Sequence, residues 1–473
     1  VDLDGATITA GRRLTIASNV DSDSTAVVGA AAGGAVGASG GVQVTVFDSL
    51  SRVSVGRGES FLDSTLRAGS EMSVTAHSDM MLDGKAVSGA AGGATLALAL
   101  NVGVVTSTTL IEIGANESLR ADSELRLQAW DVVSITGIAG SLGVGALGGG
   151  ASLDYARFAG TTRVVVGDGT RIEADPGTAR LSNPAGSIQN LTIEALSERR
   201  VTSSVVALGG AAFAVNAALG VIDMGARAED TDGNRDILLN GAQDEFASDL
   251  RAEEPGLTEE ERQNTAGGLM VFAGADDSRA SLAAERQAIS LNGPASSDSV
   301  SIRLGNDVLL ETRGNLRLRA DAGTSVIQTT GGLSAAIFGG STSGVGVSNL
   351  STSVGIDLGA NARLRADGTV SISANNAAVD DSLLTATGYT LTASAGYAVG
   401  VGIVTATVNG TSTLNMGTGV AIGGYLGERA QNVVMGTSRF GTVSVDVTNA
   451  SLSLAGGAGL VVSSANLSGG TAI

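Results

Sequence analysis

Apolar and polar residues alternate with a period of two along much of the chain, and at intervals the alternation ends in one phrase: apolar, polar, apolar, glycine. It occurs as Val53-Ser-Val55-Gly56, Ile111-Glu-Ile113-Gly114, Val164-Val-Val166-Gly167, Ile222-Asp-Met224-Gly225, Ile302-Arg-Leu304-Gly305, Ile356-Asp-Leu358-Gly359 and Leu414-Asn-Met416-Gly417. All the flanking positions are apolar and the middle one is polar except at Val165. Such a phrase is a half-buried strand ended by a glycine turn. The glycines advance by 58, 53, 58, 80, 54 and 58 residues. A period near 55 with one interruption marks a quasi-one-dimensional repeat protein, whose function lies in a scaffold and its surfaces.

Two further strands belong to each repeat. One begins five residues after the glycine, as in Leu119-Arg-Ala121, Ile172-Glu-Ala174 and Leu364-Arg-Ala366. The next reads apolar-x-apolar-x-Ala: Met72/Val74/Ala76, Leu125/Leu127/Ala129, Leu191/Ile193/Ala195, Leu316/Leu318/Ala320 and Val370/Ile372/Ala374. Period-two alternation puts these on one face and Ser73, Arg126, Thr192, Arg317 and Ser371 on the other. A Gly/Ala-rich run then leads to the closing phrase, as in 29–37 before Val42, Val44 and Val46. Glycine pairs and valine alternation argue against helix there. The runs read as strands or tight coils with small residues packed inward.

Stacking such units gives an all-β, elongated β-solenoid. With about 18 to 20 residues per coil, each repeat makes roughly three coils, and at about 4.8 Å per coil the stack reaches on the order of 100 Å. A broader coil of two longer strands per layer is the alternative. The regularity breaks between Gly225 and Ser301, where Glu253-Glu254 and Glu259-Glu-Glu261 occur and where Thr258 with Glu261 forms a capping box. This divides the chain into solenoid repeats at 1–225, an acidic and partly helical insertion at 226–300 looping from one corner of the solenoid, and further repeats at 301–473. Residues 423–441, with Tyr425 and Arg429, read as a smaller excursion. Insertions in repeat arrays often carry the recognition surface.

Composition narrows the function. Of 473 residues 69 are glycine and only 3% are aromatic, so the core is built from Ala, Val, Leu and Ile. Net charge is −19, which repels polyphosphate and speaks against a nucleic-acid partner. There is no cysteine, hence no disulfide or thiolate site, as suits an exported repetitive chain. The opening and closing residues read as mid-repeat, as in a segment of a longer protein. Runs such as 26–41 and 92–105 are dominated by Gly and Ala, which contribute little transfer energy, so a membrane span is not expected.

The phrases Leu119-Arg-Ala-Asp-Ser-Glu-Leu-Arg-Leu-Gln-Ala129 and Leu364-Arg-Ala-Asp-Gly-Thr-Val-Ser-Ile-Ser-Ala374 resemble the repeats of large bacterial filamentous adhesins of the haemagglutinin-like and leukotoxin-like group. So do Ile8-Thr-Ala-Gly-Arg-Arg-Leu-Thr-Ile16, Leu66-Arg-Ala-Gly-Ser-Glu-Met-Ser-Val74 and the stretches 86–114 and 384–417. The resemblance covers most of the chain outside about 226–300. It implies a right-handed parallel β-helix in a rod-like, secreted or surface-tethered protein, for attachment, biofilm structure or contact with other cells. It offers no catalytic motif.

Candidate sites are few. Asp230, Asp232, Asn234 and Asp236 place oxygen ligands at alternate positions, as a Ca²⁺ loop requires. Arg235 stands where such a loop has its glycine, and Gly241 where it has its closing carboxylate, a role open to Asp244 or Glu245. His77 is the only histidine and lies beyond a strand end without a nucleophile motif. Asp276-Asp277 and Asp380-Asp381 could suggest glycosidase acids, but adjacent residues in extended chain face opposite ways. Thr106-Ser-Thr-Thr109 and Thr411-Ser-Thr413 do not recur in every coil, as an ice-binding array would require. The resulting expectation is a non-enzymatic structural and adhesive extracellular or cell-surface protein. Its partners are other copies in fibres or bundles and cell-surface or matrix ligands, with Ca²⁺ as the one candidate ion. The alternatives are a carbohydrate-active β-helix enzyme and a membrane-active toxin segment.

Overall fold

The computed structural model of the chain describes residues 1–56, 63–174, 190–225, 298–424 and 430–473, with the side chains of 380 and 381 excepted. Every helix or strand among them is a strand, and the strands form two parallel sheets of eleven and seven members.

The larger sheet stacks seven long paths, numbered here as rungs 1 to 7. They are Arg13–Val55, Glu71–Ile113, Glu124–Val166, Asn190–Met224 with Asp298–Leu304, Asn315–Leu358, Thr369–Ser394 with Tyr397–Met416, and Asn432–Ser453 with Gly456–Ala472. Neighbours pair in parallel and in register, so Leu14, Met72, Leu125, Leu191, Leu316, Val370 and Val433 form one column. One repeat is therefore one rung.

A straight strand of 43 residues would extend about 140 Å. Each rung instead doubles back near its middle. Ser152 Oγ donates to Ser141 Oγ at 2.8 Å, Ser348 Oγ to Gln328 Oε1 at 2.9 Å, and Thr392 Oγ1 to the Val399 carbonyl at 3.1 Å. The pairing skips one residue at the bend, at Ala35, Gly93 and Ala146 in rungs 1 to 3. Each rung thus has an outgoing wall, a bend and a return wall. The closing glycine phrase follows, and then a short strand of the second sheet: Thr65–Ala68, Ser118–Ala121, Arg171–Ala174, Leu309–Thr312, Arg363–Ala366 or Ala421–Gly423 after rungs 1 to 6. Thr7–Ala10 precedes rung 1 in the same sheet.

The interior changes with height. At the base three faces converge, so Leu and Ile fit: Ile111 and Ile113 from the return wall, Leu119 and Ala121 from the short strand, and Leu125, Leu127 and Ala129 from the outgoing wall are all buried together. Higher up only two walls face each other, and the gap admits smaller groups. A Cβ on Gly41 would lie 3.0 Å from the Val87 carbonyl oxygen, and one on Gly103 would lie 3.0 Å from Leu82 Cδ2. Ala97 and Ala99 point inward there, as the composition of these runs predicts.

The turn after the closing phrase needs left-handed backbone. Asn116, Asp307 and Asn361 have φ of 61°, 55° and 57°, and Gly169 and Gly419 fill the same column with φ of 67° and 75°. Asparagine, aspartate and glycine are the residues that accept this conformation at least cost.

Four expectations are corrected. A repeat is one coil of two tall walls, not three coils of about 18 to 20 residues. Seven rungs at about 4.8 Å make a stack about 34 Å deep, and the long dimension runs along the walls, roughly 70 Å for 22 residues. Ile222-Asp-Met224-Gly225 is not a closing phrase, because Ile222 and Met224 pair with Ala156 and Phe158 inside the return wall. The true close of rung 4 is Ile302-Arg-Leu304-Gly305, paired with Val164–Val166. Finally, the insertion leaves from within the return wall, between Gly225 and Asp298, not from a corner. Its expected helices lie outside the described residues, and of the proposed 226–300 span residues 298–300 are strand. Residues 432–441 likewise belong to rung 7, leaving a shorter excursion than 423–441.

Candidate functional site

Asp230, Asp232, Asn234 and Asp236, the candidate Ca²⁺ loop, lie outside the described residues, as do Asp276 and Asp277. Asp380 and Asp381 are in a strand whose side chains at those positions are not described. Among the described residues no group of three or more His, Asp or Glu is placed to hold a metal ion. His77 is inside a long strand rather than beyond its end. Its ring lies 4.7 Å from that of Trp130 on the next rung, and its Nδ1 is 3.2 Å from the Trp130 carbonyl oxygen. Thr108 and Thr411 share one outward column with Thr161, Ser299 and Ser353. The hydroxyl column thus continues through five rungs where the sequence showed only two isolated runs.

Chemistry-bearing side chains are concentrated between the walls. Halfway up, the return wall carries Gln43, Asn101 and Asp154 in one column, continued by Gly220 and Gly346. The facing column of the outgoing wall carries Gly84, Gly137, Ser203 and Gln328. Long polar chains thus face glycine, and where Gln328 moves to the outgoing wall the return wall becomes glycine. Asn101 Nδ2 donates to Asp154 Oδ1 at 2.6 Å, and Ser203 Oγ donates to Oδ2. Burial pushes the Asp154 carboxyl up to about 6, with these two donors pulling the other way. The cleft at this height, lined by Gln43, Gly84, Asn101, Gly137 and Asp154, has no room for a water molecule.

Below it lies a buried ionic cluster. Arg199, fully buried, pairs with the buried Asp298 at 2.5 Å, and its guanidinium carbon sits 5.0 Å from the centre of the Phe158 ring. Thr352 Oγ1 donates to Asp298 Oδ2 at 2.9 Å. Asp131, also buried, accepts from Ser107 Oγ at 2.6 Å. Burial raises both carboxyls, Asp298 to about 6, against the lowering effect of Arg199. Asp298 is the first described residue after the insertion, so this pair fixes the strand where it re-enters rung 4. The sequence gives little sign of it, since Arg199 and Asp298 are distant in the chain and each looks like a surface charge.

Outside the walls, charge is densest at the base and reaches half-height at Asp83, Lys85, Arg157 and Asp446. Arg126 and Arg317 flank Glu194 at 3.0 and 3.9 Å, and Arg365 approaches Glu311 at 3.5 Å, so opposite charges meet between neighbouring rungs. Higher up there are none: no charged residue occurs between Lys85 and Glu112, between Arg200 and Asp223, or between Asp321 and Asp357. On the return wall the outward positions are the larger apolar ones. In rung 2 Leu96, Leu98, Leu100, Val102 and Val104 face out while Thr95, Ala97, Ala99 and Asn101 face in.

The chain matches no family model, no curated protein and no solved structure. No helix among the described residues is long and apolar enough to cross a membrane.

Proposed function

We propose that this chain is a structural and adhesive extracellular protein, a β-solenoid scaffold for attachment or matrix assembly. The carrying observation is the distribution of chemistry in the stack. Asp131, Asp154, Arg199 and Asp298 are sealed between walls and engage one another or neighbouring hydroxyl and amide groups. The outer surface consists of columns repeated from rung to rung, which suits recognition over an extended face better than reaction at a point. Stiffness comes from the ladders, since each internal rung bonds to a neighbour on both sides. The right-handed coil and kinship with filamentous adhesins belong to this reading, as does Ca²⁺ at Asp230, Asp232, Asn234 and Asp236.

The test is retention of bacterial or host cells on a surface coated with the purified chain, with and without millimolar Ca²⁺, beside a polysaccharide-degradation screen. Retention without degradation is the expected result. Cleavage of a polysaccharide by the pure chain would overturn the reading in favour of a carbohydrate-active enzyme, and leakage of liposomes in favour of a membrane-active segment.

A further inference from the structure

The upper return wall is built with its apolar side outward, although parallel sheets are normally covered on both faces. Its inner face meets the outgoing wall. On its outer face one column reads Val42, Leu100, Leu153, Leu219, Val345, Ile403 and Val462, apolar in every rung. Val42 is 60% exposed at one end and Val462 41% at the other. The columns through Ala94, Leu96, Leu98 and Val102 beside it carry no charge and mostly apolar or small residues, with Ser341, Ser343, Thr405 and Ser464 among them, while Arg157 and Asp223 in the Val104 column bound the patch from below. These five columns, spaced at about 6.7 Å, by seven rungs at about 4.8 Å give on the order of 1,000 Å². That exceeds the few hundred Å² of a typical surface patch and matches the roughly 800 Å² per partner of a stable interface.

We propose that this wall is a self-association surface, where a second copy of the chain docks return wall to return wall. The proposal deepens the scaffold reading, on which it rests, by naming the partner and the face. Two observations select a second copy. The columns repeat at the rung spacing, so a partner with the same spacing can interdigitate side chains row by row, as packed sheets do at about 10 Å. The chain carries a net charge of −19. None of it lies in these five columns, so a two-fold arrangement through them buries no ion. A lipid surface is the less favoured occupant, since the columns lack the lysine, arginine and tryptophan that anchor proteins at bilayers.

Sedimentation velocity over a concentration series tests this, with the whole chain and with the double variant Leu100→Glu/Val345→Glu. Both residues face outward on non-adjacent rungs, so the stack survives the change, which circular dichroism and thermal melting verify. The expected result is a species of twice the 46.5 kDa chain mass that the variant loses at the same concentration. The chain has no cysteine, so single thiols can be placed cleanly. Ala217→Cys on the return wall is expected to give cross-linked dimer with a short bis-maleimide, and Ala335→Cys on the outgoing wall is not. A monomer at every concentration up to about 100 µM, a dimer unchanged in the folded variant, or a monomer that instead binds phosphatidylcholine vesicles would each overturn the proposal. None of these would affect retention of cells by the scaffold, so the two readings fail separately.

Discussion

Asp154 is a carboxylate that burial makes costly, and the cost can be worked out. Its folded value is about 6 against an ordinary 3.8. Each unit of difference is worth about 1.4 kcal/mol, so the ionised form destabilises the fold by about 3 kcal/mol relative to the neutral one. The sign follows from proton counting. Between pH 4 and 6 the folded state binds the proton and the unfolded state does not, so stability falls as pH rises through this window. Above about pH 6 both states are ionised and the penalty is constant. Below about pH 4 both are protonated and it vanishes. Asp154→Asn keeps an oxygen for Asn101 but replaces the one that accepts from Ser203, a loss of about 1 kcal/mol. The variant should therefore be about 2 kcal/mol more stable than the parent at pH 7.5, with the advantage gone by pH 4.5. Urea unfolding at pH 7.5, 6.5, 5.5 and 4.5 measures this directly. A variant less stable than the parent at every pH, or a difference that does not change with pH, would refute the argument that desolvation dominates at this site.

Other consequences are equally direct. Arg199→Met removes the cation from between Asp298 and Asp131 and should cost about 3–5 kcal/mol at pH 7, less at pH 5 where Asp298, raised to about 6, takes up a proton, as read by denaturant titration at both pH values. Leu127→Ala, in the wide base, should cost about 2–5 kcal/mol in the same assay. Gly137→Val would drive its side chain into Asp154 and should destabilise by at least about 1–3 kcal/mol, whereas a Cβ on Gly140 meets nothing within 4 Å and Gly140→Ala should be neutral or slightly stabilising. Asn361→Ala, at φ 57°, should lose about 1 kcal/mol in thermal melting, and Asn361→Gly should lose almost none.

What could be read in advance depended on whether the determinant was local. The short strand at Leu119-Arg-Ala121, the alternation of Leu125, Leu127 and Ala129, and the inward alanines of the Gly/Ala runs are set by neighbours one or two residues away, and they stand as the alternation implies. The bend at Gly93 carries no local mark, because the residues on both sides are as small as it is. It is fixed by contact across the gap, as where Ser141 meets Ser152 in the next rung. Coil size was therefore not legible. Ile222-Asp-Met224-Gly225 has the same face pattern as a closing phrase, and only its pairing with Ala156 and Phe158 separates the two. The outward apolar wall was present in Leu96-Ala-Leu-Ala-Leu100 once small residues were assigned inward, but the extent of the patch follows from the register of seven rungs. Asp154 and the Arg199 pair depend on residues tens to a hundred positions away, beyond the reach of spacing.

The step of one rung per repeat also governs how such a fold can form. A residue of the large sheet finds its ladder partner 52 or more positions along the chain, as Leu125 does with Met72 at 53, so no backbone bond of that sheet closes until a full turn has been completed. The first pair of rungs must bear nearly the whole loop-closure entropy, and such non-local pairing is slow. Every later rung meets a finished edge that already presents its register and its alternation of faces. Assembly should then resemble the growth of a crystal from a seed, with a long lag for the first two layers and rapid addition afterwards, each layer templated by the one before it.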